Sequence, residues 1–331
     1  MLRLFAAAPS YYGGKRKLAS RILSYAEGET FIDAFLGGGS VSLLAKAKGF
    51  RVLCNDIADR SAVIGKALIE NPDVKITDAD IYRLFELTES DNFLITNYSQ
   101  FYTTEIGEFL DTAWANIKKF EDPTKAVLMK LLWIKTAIFY RPMGGFTHTN
   151  AVAEMLKAEN DAELTDTLLD LKEDYSRPLL HVLKDLAGQI NDGVIDNGFE
   201  NECHQLDVCE FLKKVQGDTV YIDPPYYGAQ SYEKQYHVLD CLLKRAVTTA
   251  ENSRFNEKNV MQNTLGLFEA AAHIPKWIIS VGQKTITKMG YIDMVKQFKS
   301  TVRDIKIEHR YTFGGNVKDD AHWHEVLLVA N

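Results

Sequence analysis

The sequence predicts an α/β protein with a doubly wound, mostly parallel sheet and a mainly helical inserted domain. Three observations carry that expectation. Near the N-terminus, "TFIDAF", "GGGSVSLLAKAKGF", "RVLCND" and "IADRSAVIGKAL" alternate strand and helix patterns, the rhythm of parallel strands joined by crossover helices. From Asn71 the alternation stops, and "DADIYRLFEL", "GEFLDTAWANIKKF" and "PTKAVLMKLLWIKTAIFY" place apolar residues at helical spacing. Strand patterns then resume at "TVYID", "KWIISV", "RDIKIEHRYTF" and "HEVLLVA". The expected division is a sheet domain from residues 1–70 and 196–331, with a helical insertion over residues 71–195.

The 331 residues are 46% hydrophobic and 25% charged, a globular profile long enough for a substantial core. No apolar run approaches a membrane span, and "MLRLFAAAPS" is too short for a signal peptide. Lys and Arg number 38 against 45 Asp and Glu, a net charge of −7. That balance weighs against a polyanionic partner unless positive charge is concentrated in one groove. Cys54, Cys203, Cys209 and Cys241 form no CxxC pair and no zinc pattern with histidine. Reduced thiols in a reducing, cytoplasmic location are expected, with no metal.

Taken in order, Lys15 to Tyr25 carries an amphipathic helical pattern, and "TFIDAF" is the first strand. Gly37, Gly38 and Gly39 then open a helix, so backbone there can approach a ligand closely. A phosphate-binding P-loop requires Gly-Lys followed by Ser or Thr, whereas Gly39 precedes Ser40 and Val41. A dinucleotide fingerprint requires a third glycine where Ser42 stands, which weakens that reading. S-adenosylmethionine is a third candidate ligand, with Asp56 after the second strand accepting ribose hydroxyls. As a bland alternative, Asp56 caps the helix that follows.

The stretch "TVYIDPPYYG" joins a strand to Asp223, Pro224, Pro225, Tyr226 and Tyr227. Two consecutive prolines cannot continue a ladder, so the strand must end at Asp223. This leaves a carboxylate, a stiff turn and an aromatic face at a strand's mouth.

The order "YYGGK", "DAFLGGG", "ND", insertion, "DPPY" resembles the Dam-like (alpha-group) family of N6-adenine-specific DNA methyltransferases. Tyr11, Gly13, Gly14 and Lys15 match the family's first motif, and Phe35, Gly37 and Gly39, preceded by Asp33, its glycine loop. Asp207 in "QLDVCEFL" matches its short acidic motif. The resemblance implies the fold of S-adenosylmethionine-dependent methyltransferases, S-adenosyl-L-methionine as methyl donor, and double-stranded DNA as substrate. It assigns the cofactor to Tyr11, Lys15, Asp33, Phe35, Gly37, Gly39, Asp56 and Asp207. It assigns catalysis to Asp223, Pro224 and Tyr226, with the target adenine flipped out of the duplex. Lys15 holds the methionine carboxylate or a DNA phosphate in that reading, and otherwise belongs to a solvated basic face with Arg16, Lys17 and Arg21. A cognate restriction endonuclease is a candidate partner.

Target recognition is expected in the insertion. Arg141, His148 and Asn150 in "RPMGGFTHTN" have side chains suited to base edges. Lys118, Lys119, Lys125, Lys130 and Lys135 offer either phosphate contacts or a solvated helix face. Competing readings are a cytosine-N4 methyltransferase, an RNA or protein-amide methyltransferase, and a non-catalytic nucleic-acid-binding module on the same fold.

Overall fold

The computed structural model describes residues 2–9, 14–140, 162–163, 177–225, 232–250, 253–256, 259–282, 290–308 and 324–331. Seven strands form one sheet: β1 (Thr30–Asp33), β2 (Arg51–Asn55), β3 (Glu202–His204), β4 (Thr219–Ile222), β5 (Lys276–Gly282), β6 (Val302–Glu308) and β7 (His324–Ala330), in the order β3-β2-β1-β4-β5-β7-β6. The first five in that order pair in parallel, whereas β7 runs antiparallel between β5 and β6. The winding reverses direction between β1 and β4. In doubly wound sheets ligands lie outside the carboxyl ends of the strands at such a reversal.

Side chains alternate between two cores because successive strand residues face opposite sides. Phe31, Val52, Cys54, Tyr221, Ile278 and Leu327 face one core, and Ile32, Leu53, Val220, Ile222, Ile279 and Leu328 the other. Both faces are covered, which explains why the strands read as continuous apolar runs. Helices Val208–Lys214 and Val260–Ala271 cover the second face.

On the first face, helix Ser40–Ala47 and the segment Gly65–Glu70 lie against the strands, and the insertion packs over them. Helices Thr104–Ile117, Pro123–Phe139 and Leu179–Asn191 share one hydrophobic cluster with the sheet. Asp122 starts the second of these by accepting from the Thr124 and Lys125 amides, and Pro123 occupies its first turn. Trp133 packs edge-on against Trp114, centroids 5.0 Å apart, and donates to the Leu110 carbonyl at 2.8 Å. The described helices of the insertion therefore share the catalytic sheet's core.

Several expectations change in detail. Regular α-helix in the Lys15–Tyr25 stretch is confined to Ala19–Leu23. β4 closes at Ile222, one residue before Asp223. β3 was not anticipated: it is three residues long and two of them are polar, so it carries little hydrophobic signal. Lys135 offers nothing to a phosphate. It is buried, donating to the Ala6 and Ala7 carbonyls and to Gln189, and burial lowers its pKa to about 7.

Asp111, fully buried on helix Thr104–Ile117, accepts from the Leu94 and Ile95 amides and pairs with Arg245. Arg245 follows helix Tyr232–Lys244 with a φ of 51° and also pairs with Asp91. One carboxylate thus fastens the insertion to the segment after the proline turn. Asp111→Ala is expected to lower the unfolding free energy in urea by roughly 1–3 kcal/mol, because it leaves two amides unpaired and the Arg245 guanidinium with Asp91 but without its buried carboxylate. A loss below about 1 kcal/mol would contradict that role.

Candidate active site

A cavity of about 710 Å³ opens at the carboxyl ends of β1, β2 and β4, within the range of small-molecule sites. The loop after β1 forms one wall, with Gly39 in the left-handed region at φ 71°. A Cβ there would lie 2.9 Å from the Ile64 side chain, so the turn requires glycine on two counts. Gly39 donates to the Leu36 carbonyl and Leu36 to the Asn55 carbonyl, which ties this loop to the end of β2.

Asp33, the last residue of β1, is buried against this loop. Its Oδ2 accepts from the Ser42 hydroxyl at 2.6 Å, and its Oδ1 has no hydrogen bond of good geometry. Burial raises its pKa to about 7, and the charge of Asp223 pushes the same way. The Ser42 hydroxyl and the nearby Phe35 amide favour the ionised form but do not offset burial. Asp33 also lines the cavity, where a carboxylate suits a cationic ligand group.

Asp56 follows β2 and uses both oxygens on backbone amides, Gly37 at 2.8 Å and Ala58 at 2.9 Å. It braces the glycine loop. The helix beginning at Asp59 has Ala58 at its cap position with no side-chain cap bond, so Asp56 is not its N-cap. Two amide bonds leave a carboxylate with capacity for a further donor.

Asp207 is more fully committed than the sequence suggested. It caps helix Val208–Lys214 through the Cys209 and Glu210 amides, and Arg254 binds its Oδ2 at 2.9 Å. Arg254 in turn stacks on Phe255, whose ring meets Phe35 edge-on at 5.5 Å. Phe35, Asp207, Arg254 and Phe255 all line the cavity.

On the opposite wall, Asp223 and Pro224 follow β4 directly. Lys15 lies against them, its Nζ 3.0 Å from Asp223 Oδ2 and 3.5 Å from Glu325 Oε1. Lys15 is only 5% exposed, so the solvated-face reading fails. Asp33, Asp56, Asp207, Asp223, Pro224, Lys15, Phe35 and Gly37 are thus brought to one cavity. Tyr11, Tyr226, Arg141, His148 and Asn150 lie outside the described residues.

Glu325, Arg254 and Phe255 were missed. Glu325 had a legible signal: it is the lone acid at the head of the apolar run "VLLVA". Arg254 and Phe255 sit in a short 3-10 turn whose sequence has no distinguishing pattern.

The fold and the cavity together define an enzyme of the doubly wound α/β class with a carboxylate-lined cofactor crevice. Residues 11–166 match the family described as D12 class N6 adenine-specific DNA methyltransferase. The chain is 27% identical over 329 residues to Type II methyltransferase M2.HphI of Haemophilus parahaemolyticus, an alignment covering 97% of each chain. It is 23% identical over 251 residues to Type II methyltransferase M.NlaIII of Neisseria lactamica, covering 70% of this chain and 68% of that one. A further 23% identity links it to Type II methyltransferase M.FokI of Planomicrobium okeanokoites, over 65% of this chain and 33% of that protein. Over residues 11–166 the chain resembles the D12 class of N6-adenine-specific DNA methyltransferases. It is a transferase that methylates adenine N6 in DNA, and the matched family implies a methyl donor.

The buried Asp33 has a measurable signature. Its folded pKa, about 7, lies above the unfolded value, so the native state binds an extra proton between roughly pH 4 and 7 and loses stability as pH rises through that window. Asp33→Asn removes the titrating group. Its thermal midpoint relative to wild type is expected to climb from pH 5 to 7 and to level off above pH 8. Parallel melting curves across that range would contradict the assignment.

Proposed function

We propose that the chain transfers the methyl group of S-adenosylmethionine to adenine N6 with Asp223 and Pro224 as the acceptors of the amino protons. The observation that carries this reading is the Asp223 carboxylate, ion-paired with Lys15 on the same cavity that the glycine loop walls. The cavity residues suit that donor: Asp33 Oδ1 for a cationic group, Asp56 for sugar hydroxyls, and the Phe35–Phe255 pair for an apolar ring. When bound, S-adenosylmethionine supplies a methyl group activated by a sulfonium sulfur.

The protein's task is to make a weak nucleophile attack. The adenine amino lone pair is delocalised into the ring. Hydrogen bonds from N6 to the Asp223 carboxylate and the Pro224 carbonyl favour a tetrahedral nitrogen, which localises that pair. Burial of Pro224 and the end of β4 at Ile222 hold the turn rigid, so the acceptors are placed before the base arrives. Lys15 Nζ, 3.0 Å from Asp223 Oδ2, holds the carboxylate in place by a charge-assisted contact. Tyr226 supplies the stacking face for a base turned out of the duplex.

Asp223→Ala is expected to abolish methylation of DNA while calorimetry finds cofactor affinity within a few-fold of wild type, the mark of a contact made with the target. Tyr226→Phe should retain activity and Tyr226→Ala lose it. Substantial turnover by the Asp223→Ala protein would remove this mechanism.

The insertion over residues 71–195 serves target recognition in the same proposal, with Arg141, His148 and Asn150 reading base edges. The relatives' names support a place in restriction and modification beside a cognate endonuclease, in the cytoplasm with the DNA. Among the described residues no helix is long and apolar enough to cross a membrane. Arg141→Ala or His148→Ala should cost roughly 1–3 kcal/mol of discrimination at one base position. An equal loss of affinity for all sequences, with a flatter salt dependence, would mark the residue as a phosphate contact instead.

A further inference from the structure

Glu325 is 2% exposed, on β7, the antiparallel strand beside β5. Because β7 runs opposite to β4 and β5, its first residues lie at the sheet edge where β4 delivers Asp223. Glu325 sits opposite Gly282 on β5 and Ile307 on β6. A carboxylate buried among strands is costly unless paired. Its cationic partner is Lys15, at 3.5 Å, and Lys15 is the ammonium that pairs with Asp223 at 3.0 Å. The three groups form a chain, Glu325 to Lys15 to Asp223, running from the sheet into the cavity. Among the described residues, Asp33 and the Tyr221 hydroxyl, itself hydrogen-bonded to Ser280 at 2.8 Å, are further titratable groups coupled to it.

We infer that Glu325 is a positioning residue for methyl transfer: it tethers the Lys15 ammonium so that Lys15 orients the Asp223 carboxylate for the target amino group. The inference rests on the reading of Asp223 given above. Lysine has a flexible four-carbon stem and three rotatable donors. A single ion pair with Asp223 would leave the ammonium free to follow that carboxylate. A second buried carboxylate on a strand paired on both sides gives Lys15 a fixed anchor. Asp223 is then held at Oδ2 by an anchored ammonium. The tether also divides the ammonium's attraction between two anions, so Asp223 keeps its capacity to accept from N6.

The test is a double-mutant cycle on the full chain with a DNA substrate, using Glu325→Gln, Lys15→Gln and the pair together. For each protein kcat, the KM for DNA and the calorimetric affinity for S-adenosylmethionine are measured. Glu325→Gln is expected to lower kcat by about tenfold or more with cofactor affinity changed by less than about threefold, since the contact matters in the transition state. Glu325→Asp, which keeps the charge, should recover part of the rate. In the Lys15→Gln background, Glu325→Gln should cause little further loss of kcat, because both act along one chain. Full kcat in Glu325→Gln, or losses that multiply in the double variant, would overturn the inference. A Glu325→Gln protein that no longer binds cofactor would also overturn it, by making Glu325 a structural residue only. If Asp223→Ala remains active, the underlying mechanism fails instead; an essential Asp223 with an indifferent Glu325 rejects the tether alone.

Discussion

The parallel register of β1 against β4 sets Asp33 beside Tyr221, so the chain leaves both strands at the same edge of the sheet. Everything at the site hangs on this pairing. From β1 come the buried Asp33 and the glycine loop, and from β4, one residue past Ile222, comes Asp223. The Ala34 amide donates to the Tyr221 carbonyl at 3.0 Å, carrying the pairing past the end of β1. Two segments almost two hundred residues apart in sequence thereby share a single cavity. The helical insertion between them lengthens the connection without disturbing the register, since it packs on the helices that cover the sheet and none of its described residues lines the cavity.

Electrostatics makes this crevice demanding. Asp223 and Glu325 share one buried ammonium, and Asp33 is pushed up to about 7 by burial, with the charge of Asp223 adding to it. A ligand group carrying positive charge meets a buried carboxylate more favourably than a phosphate does. The two carboxylates at the switch point have different partners: Asp33 is desolvated and takes the Ser42 hydroxyl, whereas Asp223 takes the Lys15 ammonium.

Much of this was legible in the sequence because it resides in backbone requirements. The Gly39 turn, the double proline after Asp223 and the strand-helix alternation each leave a local trace, and their order carries the family resemblance. What escaped was set by tertiary pairing. β3 is a strand only because Leu53, Cys54 and Asn55 of β2 offer it a ladder. Lys15 read as a ligand-holding cation or part of a solvated face, and Lys135 as a phosphate contact or solvated face; their burial depends on Glu325 and Asp223 in one case and on the Ala6 and Ala7 carbonyls in the other. Asp207 carried a motif match, yet its cap bonds and its Arg254 partner arise from a segment with no recognisable pattern. Asp56 was posed as ribose ligand or helix cap; it does not cap the helix, and its bracing of Gly37 was not anticipated.

The central claim is that this crevice methylates adenine N6 at a defined DNA sequence. It is tested most directly by sequencing, with detection of modified bases, the DNA of a host lacking its own adenine methylation that expresses this chain. The account predicts N6-methyladenine confined to one short sequence motif and absent when Asp223 is replaced by alanine. N4-methylcytosine in place of methyladenine, or unmodified DNA from cells that make the folded protein, would contradict it.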